Sequence, residues 1–393
     1  MDRVYNFQTD IYAFRACHND DAQDLVAIGG LHSVEVLQLN KTEVKPIASF
    51  HLGSRVTSIA WSSSTVSPSK SDSWSLELAV ATDDYGLHLL TKSSTDREYV
   101  FPFGGGLSGH HGIINDMTFC GGWTEDSSRY VATVSDDKML MVWDLRPPKI
   151  PNVNTTHDED EDDMSPPPRP QPTALVIPFP HPLVSISSHP LTSKEFLVSD
   201  CRGSVFMTDW RLDSADLEMQ SNFRHSNLVE LVDPAALAAA CVGQSQRWTG
   251  SVGWRSDSLD IVGGVFGNRF AIWDLANLRG GKPVVTSQGV IDGGHKFRSV
   301  SLLHDRFIHP IHLENRWCKT YPEHFAVSTQ IPTKGAVIQV YNLNFPHAQP
   351  TVFTLRPKPQ FVRDFDFLSV KGIPQIAAVI GKTVFVFAIG EES

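Results

Sequence analysis

The sequence predicts an all-β chain closed into a seven-bladed β-propeller. Three observations carry this. A β-rich unit recurs seven times along the 393 residues, the third run of the best copy is apolar at five successive positions, and one orphan strand precedes the first unit. A repeat of about 40–45 residues is how a ring of four-stranded sheets is written, because one small sheet cannot bury both its faces alone.

The best copy is GHHGIINDMTF (109–119) followed by YVATVSDDKMLMVWDL (130–145). Gly109-His110 opens the unit, and Ser135-Asp136-Asp137 predicts a tight turn. Met139, Met141 and Trp143 alternate with Leu140 and Val142, so this strand is expected to be covered on both faces. Clear copies also run over 182–212 and 248–275, and weaker ones over 10–40, 56–92, 297–344 and 362–389. Aligning the position of Asp144 gives the anchors Gln38, Thr91, Asp144, Asp209, Asp274, Asn342 and Ala388, spaced by 53, 53, 65, 65, 68 and 46 residues. A WD40-type unit needs only about 40–45 residues, so the excess must lie in inserted loops.

Three loop insertions account for that excess. The span 146–173 holds the acidic run Asp158–Asp163 and PPPRPQP, and 11 of the 25 prolines lie between Pro147 and Pro182. Such a segment is too charged and proline-rich to pack, and disorder is expected. In 212–246, Asp233-Pro234 before AALAAAC predicts a capped short helix. The third, 304–323, is rich in histidine. The orphan strand VYNFQ (4–8) is expected to pair with TVFVFAI (383–389) and close the ring.

Charge and composition exclude several classes of function. The net charge is −11, six of it from the acidic run, and no basic stripe is present, which argues against a nucleic acid binder. The longest apolar stretch, Ile376–Ala388, is interrupted by Lys382, so no membrane-spanning helix is expected. The start MDRVYNFQTDIYAF does not read as a secretory signal. Cys17, Cys120, Cys201, Cys241 and Cys318 are scattered and without a C-x-x-C pair, the usage of a reducing compartment. The sequon at Asn154 is then expected to be inert.

The remaining motifs point away from catalysis. Gly104 to Gly109 matches G-x-G-x-x-G, but a β stretch follows where a phosphate-holding helix would be required. His304, His309, His312 and Cys318 fit no zinc spacing, and Pro310 prevents a helix from aligning the imidazoles. The acidic run lacks the glycine and the alternation of a calcium loop. His110, Thr133, Asp137 and Trp143 contain the ingredients of an acid–base site, yet in a blade they are expected to form a buried structural network. No catalytic residue, metal or cofactor is expected.

At the level of particular segments the chain resembles one family. HLGSRVTSIAWS (51–62), the 109–119 and 130–145 pair, FGNRFAIWDL (266–275), DLVAIGGLHSVEVL (24–37) and the 188–210 block resemble, in order, the small WD-repeat nucleoporins of about thirty-seven kilodaltons. The second blade's H-x-G-x-R-V is the most telling, since generic WD repeats place Gly-His there. The resemblance implies a non-enzymatic scaffold subunit of the Y-shaped outer-ring complex of the nuclear pore. It implies docking on the large arm nucleoporin, itself a propeller fused to a helical solenoid, and through it support of transport and mRNA export. The three insertions suggest a fungal-type member, a monomeric propeller within a hetero-oligomer at the nuclear envelope, with no direct contact to nucleic acid or membrane. The alternative is a substrate adaptor or chromatin-complex WD subunit binding a peptide on its top face, with Arg55 and Arg269 on the rim.

Overall fold

The computed structural model describes residues 3–40, 42–147, 169–211, 228–234, 238, 250–255, 258–266, 269–278, 280–286, 294–299, 323–329, 335–345, 348–369 and 372–390. Among them, seven four-stranded antiparallel sheets form the blades of a propeller. The inner strands are Ala13–Ala16, Val56–Trp61, Ile114–Phe119, Leu183–Ser188, Ser251–Trp254, Gly294–Ser299 and Asp364–Leu368. Each packs beside the inner strand of the next blade, and the last packs beside the first, so the ring is closed. No helix among the described residues is long and apolar enough to cross a membrane.

The core is divided among the seams between blades rather than gathered at one centre. The two faces of Met139–Asp144 show why. Met141 and Trp143 join Leu87, Leu89 and Phe103 of blade 2, whereas Leu140 and Val142 join Phe179, Phe196 and Phe206 towards blade 4. Side chains alternate across a strand, so a fully apolar run feeds two seams at once. The seam between blade 7 and blade 1 unites Phe14, Val26, Ile28 and Leu37 with Val379, Val384 and Val386. Removing such side chains from water stabilises by about 1.5–3 kcal/mol each.

Six of the seven anchors fall at or next to the end of a third strand, Thr91 lies two residues before the end of Leu87–Ser93, and all seven pair across to the second. Asp144 faces Tyr130, Asp209 faces Glu195, Asp274 faces Ile261, Asn342 faces His324, Gln38 faces Leu25, Thr91 faces Glu77 and Ala388 faces Gln375. In four of them the side chain accepts the N–H two residues on: Asp144 from Arg146 (2.9 Å), Asp209 from Arg211 (2.9 Å), Asp274 from Ala276 (3.0 Å) and Asn342 from Asn344 (2.8 Å). A short carboxylate or amide that caps the chain leaving the strand is what the position selects.

The closing strand is Arg3–Asn6, with Arg3 opposite Val386 and Asn6 opposite Thr383. Phe7, expected inside the strand, lies just after it and is buried in the seam between blades 7 and 1. Of the insertions, residues 148–168, with the acidic run, and 300–322, which hold nearly all of the third, lie outside the described residues. The span 146–173 ends on Thr173, the first residue of the outer strand Thr173–Pro178. The span 212–246 contains Leu228–Leu231, which is the outer strand of blade 4. Most of the predicted helix after Asp233 lies outside the described residues.

Deleting residues 1–9 should expose the free edge of Thr383–Ala388 and remove Phe7 from its seam. The expected result is a melting midpoint several degrees lower, or aggregation, by about 1.5–3 kcal/mol for the phenylalanine alone. A thermal melt coinciding with that of the full chain would count against closure by this strand.

Candidate functional site

Blade 3 brings together all four residues singled out in the sequence. His110 Nδ1 lies 2.8 Å from Asp137 Oδ2, and His110 Nε2 lies 2.8 Å from Thr133 Oγ1. Trp143 Nε1–H donates to Thr133 Oγ1 at 3.0 Å. Every link is satisfied when His110 donates from both ring nitrogens, to the carboxylate and to Thr133 Oγ1, Trp143 donates to the same oxygen, and Thr133 donates to the Met141 carbonyl at 3.3 Å. Asp137 also accepts from the backbone N–H groups of His111 and Met139. The sequence places these groups through the hairpin, where Lys138 takes a φ of 72°. Tyr85 and Gly203 occupy the equivalent hairpin position with φ of 68° and 89°.

Burial alone would raise the Asp137 carboxyl. The hydrogen bonds from His110, His111 and Met139 and the charge of His110 outweigh it and hold the group at about 2. Its oxygens, the imidazole and the indole are engaged with one another, so the chain of contacts ties the hairpin to the blade interior.

A second polar cluster spans the channel, and its members are Arg15, Asp116, Asp364 and Asp366. Arg15 Nη2 donates to Asp116 Oδ1 at 2.7 Å, and Arg15 Nε donates to the Ile59 carbonyl at 3.2 Å. Burial would lower the pKa of this guanidinium, but the charges of Asp116, Asp366 and Asp364 and the bond to Asp116 push it above its ordinary value. Asp116 Oδ2 accepts from Ser185 Oγ and from the Ile186 N–H of the next blade, at 3.0 and 3.1 Å. Asp364 and Asp366 accept from the N–H groups of Phe14 and Ala16 across the closing seam, at 3.3 and 3.4 Å. Sequence reasoning passed over this cluster. Its signal was acids among apolar residues, one in INDMTF and two in RDFDF, on strands otherwise fit for burial.

Beside the cluster, Tyr12, Thr57, Asn115, Phe361 and Arg363 help to line a cavity of about 360 Å³. The two rim arginines of the adaptor reading are ion-paired at 3.2 Å, Arg55 to Asp83 and Arg269 to Asp233. The G-x-G-x-x-G glycines serve a turn between blades 2 and 3. Gly104 and Gly106 have φ of 64° and 73°, and a Cβ on Gly109 would meet the Gly104 carbonyl oxygen at 1.9 Å. The strand Ile114–Phe119 follows them. Cys17 and Cys120 are buried free thiols, and burial pushes Cys17 up to about 12. His304, His309, His312 and Cys318 lie outside the described residues, among which no cluster of three or more metal-ligating side chains occurs.

No family model matches the sequence. Nucleoporin Nup37 of Mus musculus is 25% identical over 300 residues, covering 73% of this chain and 73% of the relative. Nucleoporin Nup37 of Homo sapiens is 24% identical over 277 residues, covering 67% of each. The chain is similar to the Nup37 nucleoporins. Among solved structures, Raptor of Chaetomium thermophilum superposes with a TM-score of 0.62 at 13% identity, over 99% of this chain and 29% of that one. That likeness shows the fold alone, and this chain spans less than a third of Raptor's length.

Two outcomes are expected from the clusters. Asp137→Ala should destabilise by about 1–3 kcal/mol, because His110 Nδ1 and two backbone N–H groups lose their acceptor. Folding lowers this carboxyl, so its contribution is complete above the ordinary value near 4 and lost as pH falls towards about 2. In denaturant melts the gap between the native chain and Asp137→Asn should be full at neutral pH and narrow below about pH 4. A gap independent of pH would contradict the assignment.

Asp116→Ala should cost more, about 3–5 kcal/mol, since it removes the ion-pair partner of Arg15 and the acceptor of the Ile186 N–H. The same melts check it, and a change below about 1 kcal/mol would show that water or another group replaces the carboxylate.

Proposed function

We propose that this chain is a structural, non-catalytic subunit of the outer ring of the nuclear pore complex. It docks on the large arm nucleoporin of the Y-shaped assembly and so supports pore assembly, protein transport and mRNA export. The observation that carries the reading is the match to a protein named Nucleoporin Nup37 over 73% of both chains. The geometry supports it. The acid–base residues of blade 3 and the buried ions of the channel are bonded to one another and to backbone, an arrangement that stiffens a ring. The residues 148–168 and 300–322, outside the described structure, are proposed to be loops added to a propeller of this kind.

A permanent subunit interface buries well over about 1,200 Å² with an apolar centre, so it should resist salt. Affinity purification of the tagged full chain from cells, washed at moderate and then high salt, tests this directly. The expected result is one large nucleoporin at near-equal stoichiometry in both washes, with staining at the nuclear rim. Recovery of ubiquitin-ligase or histone-modifying subunits with diffuse staining would overturn the reading in favour of a peptide adaptor.

A further inference from the structure

The channel cavity carries polar groups that the fold itself does not use. Arg363 stacks on Tyr12, with its guanidinium carbon 4.6 Å from the ring centroid, and lies 6.0 Å from the Phe361 centroid. Among the described residues it makes no side-chain ion pair or hydrogen bond, so its N–H fork is unassigned. Arg55 approaches the same Tyr12 ring at 5.2 Å but is paired with Asp83. The Thr57 hydroxyl, on the cavity wall, is buried and has no hydrogen-bond partner among the described residues. A planar guanidinium held against an aromatic face has little freedom left to lose, and its fork matches a carboxylate.

We infer that this end of the channel binds an acidic side chain on an extended peptide segment of a partner, with the carboxylate on Arg363 and flanking apolar atoms on Tyr12 and Phe361. Of the other charged groups on the cavity wall, Arg15 is paired with Asp116, and the oxygens of Asp116 and Asp364 already accept backbone N–H groups. Arg363 is therefore the cation left to meet an anion from outside. A volume of about 360 Å³ lies at the small end of ligand cavities and suits one or two side chains.

This inference goes beyond the scaffold reading and does not rest on it. The contact is a local ion pair at Arg363, so salt weakens it, unlike the apolar subunit interface. The test titrates the full chain with the peptide acetyl-Gly-Phe-Glu-Leu-Gly-amide and with its Gln counterpart. The Glu peptide should bind about tenfold or more tightly than the Gln peptide, and a rise from about 50 mM to 0.5 M salt should erase most of that preference. Arg363→Gln should abolish the preference, and Arg269→Gln, on a different blade, should keep it. Should Arg363→Gln fail to fold, Arg363→Lys serves, retaining the charge and losing part of the preference with the fork. Equal binding of the two peptides, binding of neither, or an unchanged preference in the Arg363 variant would each overturn the inference.

Discussion

Every blade of a propeller turns the open edge of its inner strand towards the channel, and those edge N–H groups need acceptors. An unpaired buried backbone group costs about as much as a lost hydrogen bond, so seven blades cannot close without an answer. The answer here is a hand-off in one direction around the ring. Asp116 of blade 3 serves Ile186 of blade 4, and Ser185 of blade 4 serves Val252 of blade 5 at 3.4 Å. Asp364 and Asp366 of blade 7 serve Phe14 and Ala16 of blade 1. Each of the three acids also accepts the N–H that follows it in its own strand. Carboxylates suit this work because they accept several bonds at once, and Arg15 offsets part of the charge they bring inside.

Much of this architecture can be read from the sequence because its second and third strands are covered on both faces. A run such as LMVW has no solvent side to dilute it, and an Asp or Asn closing the run has a turn to cap. The outer strands are another matter. Thr173–Pro178 is exposed or half-exposed at each position, Leu228–Leu231 buries only its last residue, and Val285–Thr286 is two residues long. A strand paired on one edge and washed on both faces has little apolar pattern to show. That is why one outer strand sits inside a segment whose composition predicts an inserted loop.

The blade-3 network and the channel cluster differ in legibility for the same physical reason. His110, Thr133, Asp137 and Trp143 lie within one repeat, so the hairpin fixes their approach and spacing alone betrays them. Arg15, Asp116 and Asp364 come from blades 1, 3 and 7 and meet only because the ring closes. The repeats also diverge in how they satisfy an indole. Trp273, at the position of Trp143 in blade 5, donates to the Gly281 carbonyl, and Trp61 donates to the Arg15 carbonyl. Trp143 and Trp273 thus share a position but not an acceptor.

Closure itself is secured by more than the four paired residues of the first strand. Arg3 donates to the Gln375 side chain of blade 7 and to the Asn40 carbonyl of blade 1. Tyr5 donates to Glu35 of blade 1 at 2.8 Å, and burial together with that carboxylate pushes the phenol well above its ordinary value. The strand thus contributes its ladder to one blade and its side chains to the neighbour. Opening the ring at this seam breaks the ladder, the side-chain ties, the apolar contacts of Phe14 and Val384, and the carboxylate acceptors of Phe14 and Ala16 together. Contacts that must break together make the seam cooperative, so a short strand with few bonds of its own can hold the whole ring shut.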